Sequence, residues 1–95
     1  MLLEVCATSS FDRVVKKLHT KEKKIVDAEI AAVVENLTLG QEKKGDLLGV
    51  FVHKFKLNRQ EMLLAYELLP NKLKPKKLIL LALGPHENFY LTLKR

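Results

Sequence analysis

Near Gly45 the spacing of apolar residues changes from the ~3.6-residue period of a helix to the 2-residue period of a strand, and this change limits the architectures open to the chain. Before it, Phe11, Val14, Val15 and Leu18 fall at i, i+3, i+4 and i+7, the apolar stripe of a helix running to about Leu18. Ser9 or Ser10 is placed to cap it. Thr20 can cap a second helix with Glu22 in its first turn, and Val26, Ile30, Val33 and Leu37 continue an apolar face. The two form a helical hairpin. After it, Leu48 to Leu57, Met62 to Leu69 and Leu78 to Leu83 read as three strands, with Met1 to Cys6 as an opening strand. Asn58-Arg59-Gln60 is a short hairpin connection, and Pro70 to Lys77 a longer, lysine-rich turn. Gly84-Pro85 closes the last strand and starts a short C-terminal helix with Phe89 and Leu93 one turn apart. The expected fold is α+β: an N-terminal strand and helical hairpin packed on a small antiparallel sheet, with a short C-terminal helix.

A chain of 95 residues, 47% of them hydrophobic, supports one core and therefore one domain over residues 1–95. No apolar run approaches the roughly 20 residues of a membrane span, and Glu4 comes too early for a secretory signal. Cys6 is the single cysteine, so an intrachain disulfide is impossible; a cytoplasmic location and a small buried side chain are the expectation. His19, His53 and His86 are scattered without ligand spacing, and His86-Glu87 lacks the second histidine of a zinc helix because Tyr90 stands there. No metal is expected.

The net charge of +6 is unevenly spread. Residues 1–42 carry six Lys/Arg against seven Asp/Glu, whereas residues 43–95 carry eleven against four. A positive field in one half favours a polyanion, nucleic acid before a membrane surface, although solubility alone also accounts for such charge. Alternation from Val50 to Leu57 puts Phe51, His53, Phe55 and Leu57 on one face, towards the helices, and Val50, Val52, Lys54 and Lys56 on the other. Lys54 and Lys56 are then roughly 6.5–7 Å apart along the strand, a separation that lets two ammonium groups flank a phosphate. If the residues after Pro85 are helical, His86 and Tyr90 share a face while Phe89 turns to the core. The pair could exchange a proton and hydrogen-bond a developing charge; capping and packing are the plainer roles. Gly45-Asp46-Leu47-Leu48-Gly49 lacks the spacing of a nucleotide-binding loop and reads as a bend beside Lys43 and Lys44.

Taken together, Phe11, Lys16-Lys17-Leu18-His19, Lys43-Lys44-Gly45-Asp46-Leu47, Lys54-Phe55-Lys56, Leu63-Leu64-Ala65-Tyr66, and Leu83-Gly84 through His86-Glu87-Asn88-Phe89-Tyr90 resemble the RelE/ParE toxin superfamily over nearly the whole chain. The resemblance implies the toxin of a type II toxin–antitoxin system, neutralised by a cognate antitoxin. RelE-like members cut messenger RNA at the ribosome without metal or other cofactor; ParE-like members inhibit DNA gyrase. On the RelE-like branch, Lys54, Lys56, His86 and Tyr90 are the implied catalytic residues, and Lys43, Lys44 and Arg59 the implied RNA contacts. Two positions depart from the pattern. Leu63 stands where RelE-like sites commonly carry arginine, and Leu91 where an arginine often follows the terminal tract. The alternatives are a non-catalytic gyrase inhibitor and a degenerate toxin that retains only antitoxin binding.

Overall fold

A computed structural model describes residues 3–85. Its elements are β1 (Glu4–Ala7), α1 (Ser9–Lys16), α2 (Thr20–Glu35), β2 (Gln41–Glu42), β3 (Val50–Leu57), β4 (Gln60–Leu69) and β5 (Lys77–Gly84), with a 3-10 turn at Gly45–Leu47. The five strands form one sheet in the order β1-β5-β4-β3-β2. The α+β expectation holds with one addition: β1 runs parallel to β5, so the sheet is mixed while β2 to β5 are antiparallel. The C-terminal helix expected from Pro85 onward lies outside the described residues.

The apolar stripes fold as their spacing requires. Phe11, Val26 and Val33 are buried, with Val14, Val15, Leu18, Ile25, Ile30 and Leu37 packed against the same core. The sheet supplies Phe51, Phe55, Leu57, Leu64, Tyr66, Leu68, Leu78, Leu80 and Leu83. Full burial of a leucine or phenylalanine contributes about 1.5–3 kcal/mol, so this cluster is the main stabilising term. Helix boundaries differ from the sequence reading. Thr8, rather than Ser9 or Ser10, caps α1 by accepting from the Phe11 N–H at 3.2 Å, and His19 rather than Thr20 precedes α2, where its N–H donates to Glu22 at 3.0 Å.

Thr8 has a second task. Between Ala65 and Tyr66 the β4–β5 register shifts by one residue, leaving Leu81 as the extra residue of a bulge. The Thr8 hydroxyl donates to the Leu81 carbonyl at 2.8 Å, so one side chain serves both the start of α1 and the bulge.

Tyr66 ties the loop after α2 to the sheet. Its phenol is fully buried, stacks on Phe51 with centroids 5.3 Å apart, accepts from the Gly40 N–H at 2.9 Å and donates to the Leu37 carbonyl at 2.9 Å. A Cβ at Gly40 would sit 3.0 Å from the Tyr66 hydroxyl and 3.0 Å from the Val52 carbonyl, so glycine permits this approach. Tyr66→Phe orphans two backbone groups and is expected to cost about 2 kcal/mol, read as a lower denaturant midpoint with unchanged slope. Burial raises the Tyr66 pKa above the ordinary phenol range, opposed by the Gly40 N–H. A raised folded-state pKa gives stability that is complete below about pH 10 and lost as pH climbs through the folded value; this alkaline loss should be smaller in Tyr66→Phe.

Candidate functional site

The site is built on the β3–β4 hairpin. Its two-residue turn, Asn58-Arg59, has φ of 52° and 69°, both left-handed, as a tight turn matching strand twist requires. Asparagine visits this region readily; arginine does so at a cost of about 1 kcal/mol, which the hairpin offsets elsewhere. The Asn58 amide donates to Glu22 on α2 at 2.6 Å, pinning the hairpin tip to the helical layer. Five residues back along the chain, in β3, His53 Nε2 donates to Glu29 at 2.6 Å and stacks on Phe55. Phe51, Phe55 and Leu57 are buried on this face. With its alternate residues fastened to α2 and the core, β3 must aim Lys54 and Lys56 the other way. Both are exposed, as alternation predicts.

The face carrying the lysines is not uniformly polar. Val52, Leu63, Ala65 and Ala82 form a second buried cluster there, with Val50 and Leu81 packed against it. Leu63 lies directly across from Lys54, so the residue that departs from the RelE pattern is fully buried beside the first lysine. It contributes packing where an arginine would contribute charge.

The other sequence-selected residues divide. Arg59 occupies the turn close to Lys56. Lys43 donates its N–H to the Val50 carbonyl at 2.8 Å, which places it four residues, roughly 13 Å, from the level of Lys54; Lys44 is exposed at the start of the 3-10 turn. These two lie towards the opposite end of β3. His86 and Tyr90 lie outside the described residues. The bend read at Gly45 to Gly49 is the 3-10 turn, with Gly49 at φ 89°. The charge run after Pro70 is partly tied down: Lys72 pairs with Glu42 at 2.7 Å and Lys77 with Glu4 at 3.8 Å.

Cys6 is half-buried rather than buried, because β1 is an edge strand with a partner on one side only. Partial desolvation raises the thiol pKa, and a 3.4 Å hydrogen bond to Glu4 adds to the shift. Such a thiol is a poor nucleophile. Among the described residues no group of three or more His, Cys, Asp or Glu is arranged to hold a metal ion. A cleft of about 470 Å³, lined by Glu42, Leu48, Phe51, Glu67, Leu69 and Lys72 among others, sits at the end of the sheet away from the hairpin. It contains neither Lys54, Lys56 nor Arg59, and the charged hairpin is the better candidate on chemical grounds.

Sequence reading missed Glu61. It treated Gln60 as part of the connection and began the next strand at Met62; in fact β4 begins at Gln60, and Lys56 pairs with Glu61. A two-residue turn at Asn58-Arg59 was the signal that would have revealed this register.

Two helices packed on one face of a five-stranded mixed sheet give the fold of the small E. coli toxin RelE. A chain of the intact E. coli RelBE toxin–antitoxin complex superposes with a TM-score of 0.68 at 14% identity, covering 90% of this chain and 98% of that one. The isolated E. coli RelE toxin gives 0.65 at 14% identity, covering 90% and 85%. Residues 5–94 match the model of the family described as ParE-like toxin of type II bacterial toxin–antitoxin system, and the chain belongs to that family. No curated protein matches by sequence. Among the described residues no helix is long and apolar enough to cross a membrane.

Proposed function

We propose that this type II toxin is a ribosome-dependent, metal-independent endoribonuclease that cuts messenger RNA in the cytoplasm and is held inactive by a cognate antitoxin. The observation that carries the reading is the position of Lys54 and Lys56: two exposed ammonium groups on one strand face, held there by the anchoring of alternate residues to α2 and the core. Cleavage without metal needs the ribose 2′-OH deprotonated, in-line attack on the phosphate, stabilisation of the added negative charge, and protonation of the departing 5′-oxygen. Lys54 and Lys56 supply the charge, and Arg59 and Lys43-Lys44 extend the cationic track along the RNA. His86 is assigned the acid–base step and Tyr90 the orientation of substrate, both on the family pattern. Antitoxin binding over the basic second half of the chain would mask the same groups, in keeping with the RelBE-like fold.

The ParE-like family description favours a second reading, a non-catalytic inhibitor of DNA gyrase. Induction of the chain without antitoxin separates the two. New messenger RNA 5′ ends within translated frames, with supercoiling intact, are the expected result. Inhibited supercoiling without new ends would overturn the endoribonuclease reading in favour of gyrase.

A further inference from the structure

The β3–β4 register pairs Leu57 with Gln60, Lys56 with Glu61 and Lys54 with Leu63. Opposed residues of an antiparallel pair project from the same face with Cβ atoms about 4.5–5.5 Å apart, and Lys54 lies two residues from Lys56 on that face. A carboxylate is thereby set beside two ammonium groups, on the hairpin tip that Asn58 and Glu22 hold in place. Lys54, Lys56 and Glu61 are all exposed, and among the described residues none of them makes a hydrogen bond or ion pair. Glu61 is not consumed in neutralising its neighbours.

The lysines leave part of the reaction unserved. A lysine that serves as the stabilising ammonium keeps its proton in that role, so the proton on the ribose 2′-OH needs a separate acceptor. Other acceptors among the described residues of the sheet are badly placed. His53 projects from the opposite face and is bound to Glu29. Glu67 shares the strand of Glu61 but is six residues along, roughly 20 Å away. Glu61 alone of these acceptors lies next to the lysines.

We infer that Glu61 is the general base of the site, accepting the 2′-OH proton as that oxygen attacks the scissile phosphate. The inference rests on the endoribonuclease reading. The 2′-oxygen–phosphorus bond forms and the phosphorus–5′-oxygen bond breaks; the 2′ proton passes to the Glu61 carboxylate. The 5′-oxygen leaves with the bonding electron pair and takes a proton from an acid, the role assigned to His86. The products are a 2′,3′-cyclic phosphate and a 5′-hydroxyl, and Glu61 returns its proton to solvent.

The test is single-turnover cleavage of messenger RNA on programmed ribosomes by the full chain, Glu61→Gln and Glu61→Asp. Glu61→Gln is expected to lower the rate about 10²-fold and remove the acid limb of the pH–rate profile, with Glu61→Asp recovering part of the rate. Ribosome affinity should change by less than about twofold, since the defect is in chemistry. A substrate with sulfur in place of the bridging 5′-oxygen needs no acid. It should rescue His86→Ala but leave Glu61→Gln impaired. Wild-type rates and pH dependence in Glu61→Gln, or rescue of that variant by the sulfur substrate, would overturn the assignment while leaving the endoribonuclease reading intact. Failure of the wild-type chain to cut would instead overturn that reading. Because Glu61 is exposed, melting temperatures of the three proteins should agree, and Glu61→Asp keeps the comparison valid if Glu61→Gln is destabilised.

Discussion

On the endoribonuclease reading proposed above, replacing Lys54 and Lys56 together by alanine is expected to lower ribosome-dependent cleavage of messenger RNA about 10³-fold, with growth arrest lost in parallel. Loss of a single preorganised donor to a developing oxyanion costs about 10²–10³ in rate, and two cations acting on one phosphate are not additive. The single variants should therefore each show most of the defect. Both side chains are exposed, so thermal stability should change by no more than about 0.5 kcal/mol, which separates lost chemistry from lost folding. Lys→Arg at either position keeps the charge but replaces a compact ammonium with a planar fork, and partial activity is expected. The measurement is the single-turnover rate on programmed ribosomes beside a melting curve. A double variant that cuts at the wild-type rate would remove the strand lysines from the site.

The lysine pair was legible in the sequence because it depends on a local rule. Strand alternation fixes the face of every residue from Val50 to Leu57 once Phe51 and Phe55 are given to the core, and the structure follows it without exception. Features that depend on a distant part of the chain were not legible. The parallel pairing of β1 with β5 joins residues more than seventy positions apart, and nothing within Glu4–Ala7 states its direction. Nor do the two residues of β2 have any periodicity; that strand exists because Tyr66 draws Gly40 onto β3. Thr8 was passed over as a cap because two serines follow it, while its bond to Leu81 favours the earlier position. Glu61 was lost through a single residue of register. Placing the turn at Asn58-Arg59 alone would have set that carboxylate opposite Lys56.

A leucine-to-alanine change should be costly at one position and nearly neutral at another, and the contrast measures what holds the site in place. Leu64 is 0% exposed in the core cluster, paired with His53 on one side and Leu83 on the other. Leu64→Ala removes apolar contact and leaves a cavity under the hairpin, with an expected cost of about 3 kcal/mol. In a domain of this size that lowers Tm by about 15 °C, a large share of the 5–15 kcal/mol typical of folded domains. Leu48, 73% exposed, loses little on the same change, and Leu48→Ala should stay within about 0.5 kcal/mol of the wild type. Urea titration of the two variants checks both, with an unchanged slope showing that the folded and unfolded ensembles are otherwise preserved. Activity in Leu64→Ala should survive at low temperature and disappear at its lowered midpoint, because the lysines are aimed by packing on the other face of β3. Equal losses at Leu48 and Leu64 would mean that the core between the sheet and α2 does not set the stability of the hairpin.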